Sequence, residues 1–96
     1  MVRVKVILYE RLVELAGVSY IELELPKKPR LKDLLETLGK KFGKDFENVV
    51  ATPSDAYGNY LGVILINERE SKRLNDLETE LKENDVIRIV PPVSGG

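Results

Sequence analysis

The sequence contains no cysteine and no histidine. Without thiols there is no disulfide, no thiolate nucleophile and no cysteine-based metal site. Without imidazole the commonest acid–base group is missing, and a hydrolytic triad has no base. Carboxylates are plentiful, but sixteen acidic residues on one small domain read mainly as solvated surface. No apolar run approaches the roughly 18 residues of a membrane helix, so no membrane span is expected. Fifteen basic against sixteen acidic residues leave a net charge of −1, and nucleic-acid binders usually carry a basic excess. The opening Met1-Val2-Arg3-Val4-Lys5-Val6 alternates charge with valine, unlike a signal peptide. A cytoplasmic protein that binds neither nucleic acid nor membrane is expected.

What is present describes one globular domain. The 96 residues are 43% hydrophobic and 32% charged, enough for a single modest core over residues 1–96. Val2, Val4, Val6 and Leu8 alternate with Arg3, Lys5, Ile7 and Tyr9, the period-two pattern of a strand with one buried face. Glu10 to Ala16 reads as two helical turns closed by Gly17. Val18 to Leu25 reads as a second strand, stopped by Pro26 and paired antiparallel with the first. Leu31, Leu34, Leu35, Leu38 and Phe42 fall at i, i+3, i+4, i+7 and i+11, the stripe of an amphipathic helix. Leu34, Leu35 and Leu38 are expected in the core. Gly39 is expected to loosen the helix, and Gly43 to stop it.

Residues 45–61 contain Pro53, Ser54, Asp55, Gly58 and Asn59. They read as loop with one turn of helix near Phe46 to Val50. Gly62 to Ile66 reads as a strand buried on both faces. Leu74, Leu77 and Leu81 supply scattered core contacts, and Asn84-Asp85 makes the last turn. Seven cations at Lys27, Lys28, Arg30, Lys32, Lys40, Lys41 and Lys44 lie near or on the main helix. They read as a solvated face, with a docking surface for an acidic partner as the sharper alternative.

The final run carries the most information. Val86, Ile87, Ile89 and Val90 are β-branched and form a strand signature. Pro91 and Pro92 end it, because neither offers an N–H to a ladder, and together they hold the chain extended. Val93, Ser94, Gly95 and Gly96 follow. Residues 91–96 are expected to project as a thin tail. Its two glycines admit backbone angles closed to other residues, and its end is expected to be a free carboxylate on Gly96.

The stretch Leu81 to Gly96, with its Pro-Pro-Val-Ser-Gly-Gly ending, resembles the MoaD/ThiS family of ubiquitin-like sulfur carriers. Within that family it is most similar to the molybdopterin synthase small subunit. Tyr9 to Gly17 is a second anchor of the resemblance. Two departures stand out. Glu68 follows Asn67 where the family often has glycine, and residues 45–61 are longer than in the shortest members. The resemblance implies an α+β fold of β-grasp type, a mixed sheet wrapped on one main helix with parallel first and last strands. It implies that Gly96 is adenylated, converted to a thiocarboxylate and used to donate sulfur to a pterin precursor of the molybdenum or tungsten cofactor. Pro91, Pro92, Val93, Ser94 and Gly95 would insert the terminus into partners. The implied partners are a MoaE-like large subunit, a MoeB-like ubiquitin-activating-type adenylyltransferase that uses the ATP, and a sulfur donor enzyme. The chain itself would be the non-catalytic donor subunit, with no bound cofactor or metal. A thiamine-pathway carrier, a protein modifier joined through Gly96 and a plain β-grasp interaction module remain alternatives. The face beside the tail is expected to carry apolar residues for a partner, drawn from Leu8, Leu61 and Val63.

Overall fold

The computed structural model describes residues 1–51 and 63–91. The first strand, β1 (Val2–Leu8), leads into a short helix, α1 (Arg11–Ala16), and returns as β2 (Tyr20–Leu25). Gly17 caps α1 at φ 79°, its N–H donating to the Val13 carbonyl. β2 starts two residues later than expected, with the Leu8 N–H to Ser19 carbonyl bond at 2.8 Å marking the end of its pairing. Two helices follow, α2 (Leu31–Phe42) and α3 (Lys44–Ala51). The chain then supplies β3 (Val63–Ile66), a two-residue β4 (Arg69–Glu70), two 3-10 turns (Ser71–Arg73 and Asp76–Glu78) and β5 (Val86–Val90).

The sheet order is β2-β1-β5-β3-β4. β1 and β5 are parallel, while β1–β2, β3–β5 and β3–β4 are antiparallel. A parallel neighbour requires a crossover, which the helices provide. The last strand therefore lies at the centre of the sheet, flanked on both sides. A mixed sheet of this order around one main helix is the β-grasp arrangement.

One face of the sheet meets the helices. Val4, Val6 and Leu8 of β1, Ile64 and Ile66 of β3, and Ile87 and Ile89 of β5 are buried there. The α2 stripe closes the core from the other side, with Leu31, Leu34, Leu35 and Leu38 all buried. The start of α2 is fixed by Asp33, whose carboxylate accepts the Arg30 N–H at 2.8 Å. That satisfies a donor the helix itself leaves free. Arg30 also bridges to Glu80 in an antiparallel contact, and Leu81 is buried beside it.

Glu78 joins the two sides of this junction, pairing with Arg30 and lying 3.0 Å from Lys32. The hydrogen bonds from Lys32 and then Arg30 hold the Glu78 carboxyl below its usual value of 4.5. A carboxylate depressed in the folded state contributes stability above the unfolded pKa, and this is lost as pH falls through the folded value. In an NMR titration Glu78 should therefore show a midpoint below 4.5. Added salt should move that midpoint upward, because both partners are exposed.

Three expectations need correction. Gly39 does not loosen α2, which continues to Phe42. Gly39 is itself buried at the α2–α3 contact, where an added Cβ would lie 3.0 Å from the Cβ and Cγ of Glu47. The glycine lets α3 approach. Gly39→Ala would normally gain about 1 kcal/mol of helix propensity, but here it forces α3 outward, so a lower denaturation midpoint is expected. Second, residues 44–51 form a full two-turn helix rather than one turn within a loop. Phe46 and Val50 are buried and Val49 is half-buried. Third, β3 is buried on one face only, with Val63 43% exposed. The expected loop from Pro53 to Asn59 lies outside the described residues.

Candidate functional site

The root of the terminal segment is rigid. β5 is held by β1 on one side and β3 on the other. Its start is clamped by Asn67, which takes φ 51°. The Asn67 amide oxygen accepts the Val86 N–H at 2.9 Å, and its amide nitrogen donates to Asp85 at 2.7 Å. Asp85 is buried and also accepts the Lys82 N–H at 2.7 Å. Glu68, at φ 72°, follows in the same two-residue hairpin. Two successive residues at positive φ are the signature of a type I′ turn. The turn type is thus kept without the glycine that usually serves it.

Pro91 is buried. It belongs to the body of the domain rather than to a projecting tail, because it continues directly from Val90, which is paired with Val63. Pro92, Val93, Ser94, Gly95 and Gly96 lie outside the described residues.

The face of the sheet opposite the helices is open among the described residues. Strand alternation and register place Tyr20, Ile7, Arg88 and Leu65 in one row across four strands. Val90 and Val63 form the next pair toward the chain end. Tyr20 is 54% exposed, and Ile7, Leu65 and Val90 are half-buried. This apolar strip ends at the segment that leads to Gly96. Leu8, expected on this surface, faces inward and is only 3% exposed, since β1 buries its even-numbered residues. Val63 does lie on the open face, and Leu61 is outside the described residues.

Arg88 sits in the middle of the strip. Its Nε donates to the Glu68 carboxylate at 2.7 Å, and its Nη1 donates to the Tyr9 hydroxyl at 2.7 Å. Glu68 and then Tyr9 hold the guanidinium pKa above its ordinary value, so it stays charged. At the neighbouring edge Lys5 stands 4.7 Å above the Tyr20 ring, and Arg3 pairs with Glu24 at 2.9 Å. Sequence reasoning passed over Arg88, Ile7 and Leu65. The signal was available, since a cation between Ile87 and Ile89 must point away from the face those residues bury.

Among the described residues no group of three acidic side chains is placed to hold a metal ion, and no helix is long and apolar enough to cross a membrane. Of the Lys27 to Lys44 cations, Arg30 and Lys32 meet on Glu78. Lys40 pairs with Glu36 at 3.3 Å and Lys44 with Glu47 at 3.8 Å, each with a neighbour on its own helix.

The sheet order and single-sided core define a ubiquitin-like β-grasp domain. The family model described as ThiS family matches residues 6–96, and the chain belongs to that family. It is 29% identical over 97 residues to the molybdopterin synthase sulfur carrier subunit of Drosophila yakuba, covering 99% of this chain and 92% of that protein. Its fold matches the solution structure of small archaeal modifier protein 1 from Methanosarcina acetivorans with a TM-score of 0.80. Identity there is 35%, covering 100% of this chain and 98% of the other. A putative molybdopterin converting factor subunit 1 from Pyrococcus furiosus matches with a TM-score of 0.76 at 34% identity, covering 97% and 100%. A chain in the complex of subunits 1 and 2 of the Helicobacter pylori molybdopterin-converting factor matches with a TM-score of 0.59 at 25% identity, covering 98% and 99%.

Proposed function

We propose that this chain carries sulfur as a thiocarboxylate on Gly96 and delivers it as the small subunit of a molybdopterin synthase. The observation that carries the reading is the position of β5. The strand leading to the Gly-Gly ending is central, clamped on both sides, and borders an open apolar strip. A terminus launched from such a base has a fixed origin, and positional precision is what insertion into a partner's active site demands.

A carboxylate is a poor electrophile. In this reading the Gly96 carboxylate oxygen attacks the α-phosphorus of ATP on an activating enzyme and releases pyrophosphate. The acyl-adenylate carbonyl is then open to a sulfur nucleophile, which displaces AMP and leaves the thiocarboxylate. That sulfur is anionic near neutral pH and attacks the pterin precursor in the large subunit, and hydrolysis of the resulting thioester leaves the sulfur on the pterin and returns the Gly96 carboxylate. The base, the nucleotide site and the pterin pocket belong to the partners, in keeping with a chain that lacks histidine and cysteine. The likeness to subunit 1 proteins, one of them in complex with subunit 2, supports a large-subunit partner.

Mass spectrometry tests the proposal. After incubation with ATP, a cognate activating enzyme and a sulfur donor, the C-terminal peptide should gain the difference between sulfur and oxygen. An unmodified terminus would refute it. The likeness to a small archaeal modifier favours a second reading, in which the same activated Gly96 is joined to lysine side chains. Covalent conjugates that survive thiol reagents would mark that outcome.

A further inference from the structure

The open strip has a charge at its centre. Arg88 lies between Ile7 and Leu65 in the row across the sheet. A guanidinium has five N–H donors in a fixed plane. Glu68 takes the one on Nε, and Tyr9 takes one on Nη1. The remaining three meet no acceptor among the described residues. Glu68 stands at the rim with its side chain 68% exposed, whereas that of Arg88 is 33% exposed.

A surface that covers the strip would strip water from these donors. A cation covered with unsatisfied N–H groups is strongly disfavoured unless the covering surface pairs it. Glu68 occupies Nε and Tyr9 one donor on Nη1, which leaves the second Nη1 donor and both donors on Nη2 for a partner. The backbone at Glu68 is held at φ 72°, a conformation better suited to glycine, and the residue there places its carboxylate on Arg88.

Resting on the reading that a large subunit docks on this face, we propose that Arg88 determines partner specificity. The docking subunit presents an acidic side chain, ringed by apolar residues, that seats on the Nη edge of Arg88. Tyr9 and Glu68 fix the guanidinium in place through two hydrogen bonds, so the receptor geometry exists before docking. Specificity arises because a partner with an apolar residue at that place leaves the donors unpaired.

The test measures Kd for the large subunit by calorimetry, with thermal melts as a fold control. Arg88→Met keeps the length and apolar stem and removes the charge. It should weaken binding by roughly thirty-fold or more, the range for truncating one partner of a buried charge pair, and Arg88→Glu should weaken it further. Arg88→Gln retains donors without charge and should behave like Arg88→Met. Binding by Arg88→Gln equal to wild type, with Arg88→Met weakened, would point to a neutral acceptor and overturn the carboxylate. Unchanged binding by Arg88→Met would overturn the role of Arg88 altogether. Leu65→Asp, on the same row, separates the two readings. If it abolishes binding while the Arg88 variants bind normally, the face docks and the inference about Arg88 fails. If the wild-type chain does not bind the large subunit at all, the functional reading fails and takes this inference with it.

Discussion

Removal of Gly96 is expected to abolish adenylation and thiocarboxylate formation while leaving the fold intact. In the proposed reaction the reacting group is the C-terminal carboxylate, and deletion moves it back by one residue, about 3.3–3.6 Å of extended chain. Displacements of about 1 Å can cost around a hundredfold in rate, so a whole residue leaves no productive geometry. One residue added after Gly96 should be nearly as damaging, because the carboxylate then overshoots the α-phosphate. A side chain at Gly95 should impair the reaction less completely, through width and forbidden backbone angles. The thermal midpoint should not move in any of these variants, because the core is built by residues up to Leu81 together with Ile87 and Ile89. Mass spectrometry reads the modification and a melt reads the fold. Sulfur incorporation by the Gly96 deletion would refute the carrier function.

The sheet was legible in the sequence wherever side-chain alternation was uninterrupted. Val2, Val4, Val6 and Leu8 announced a one-sided strand, and Val4, Val6 and Leu8 are buried as a set. The helical stripe from Leu31 to Leu38 was equally clear, because four leucines at helical spacing have no other economical reading. The pattern misled where local propensity and tertiary packing disagree. Gly39 is a poor helix residue in isolation, yet its missing side chain is the space into which Glu47 fits. The continuous run Val63-Ile64-Leu65-Ile66 reads as buried on both sides, because hydrophobicity records what is hidden in any assembly. The open face of the isolated domain accounts for the exposed Val63.

The candidate site was legible in a different way. The Gly-Gly ending and the prolines before it point to the proposed chemistry by resemblance alone, and residues 92–96 lie outside the described residues. What the sequence concealed was the surface around the tail's origin. Tyr9 and Glu68 lie 79 and 20 positions from Arg88, and no local pattern links them. Only the parallel pairing of β1 with β5 and the hairpin at Asn67-Glu68 bring them together. The same hairpin explains why Glu68 stands in for a glycine. Its side chain does something there that glycine cannot, even though the backbone would favour the smaller residue.

Phe46→Ala should be the most destabilising single substitution in the second helical layer, at about 3–5 kcal/mol. Phe46, Val49 and Val50 fall at i, i+3 and i+4, so α3 turns one apolar face inward. Phe46 is fully buried there, its ring centre 5.0 Å from that of Phe42 at an interplanar angle of 44°. Truncation removes the ring from the core, breaks the aromatic contact and leaves a cavity that α3 cannot fill without leaving Gly39. Phe42 is only half-buried, so Phe42→Ala should cost distinctly less, although it breaks the same pair. Since small domains retain only about 5–15 kcal/mol in total, the Phe46 variant should lose a large part of its stability. Urea unfolding is the measurement, with the midpoint falling and the slope unchanged if the transition stays two-state. A loss below about 1 kcal/mol would mean that α3 lies on the core without closing it. Phe46→Leu, which keeps most of the buried area, should fold and still bind the large subunit, because the proposed docking strip lies on the opposite face of the sheet.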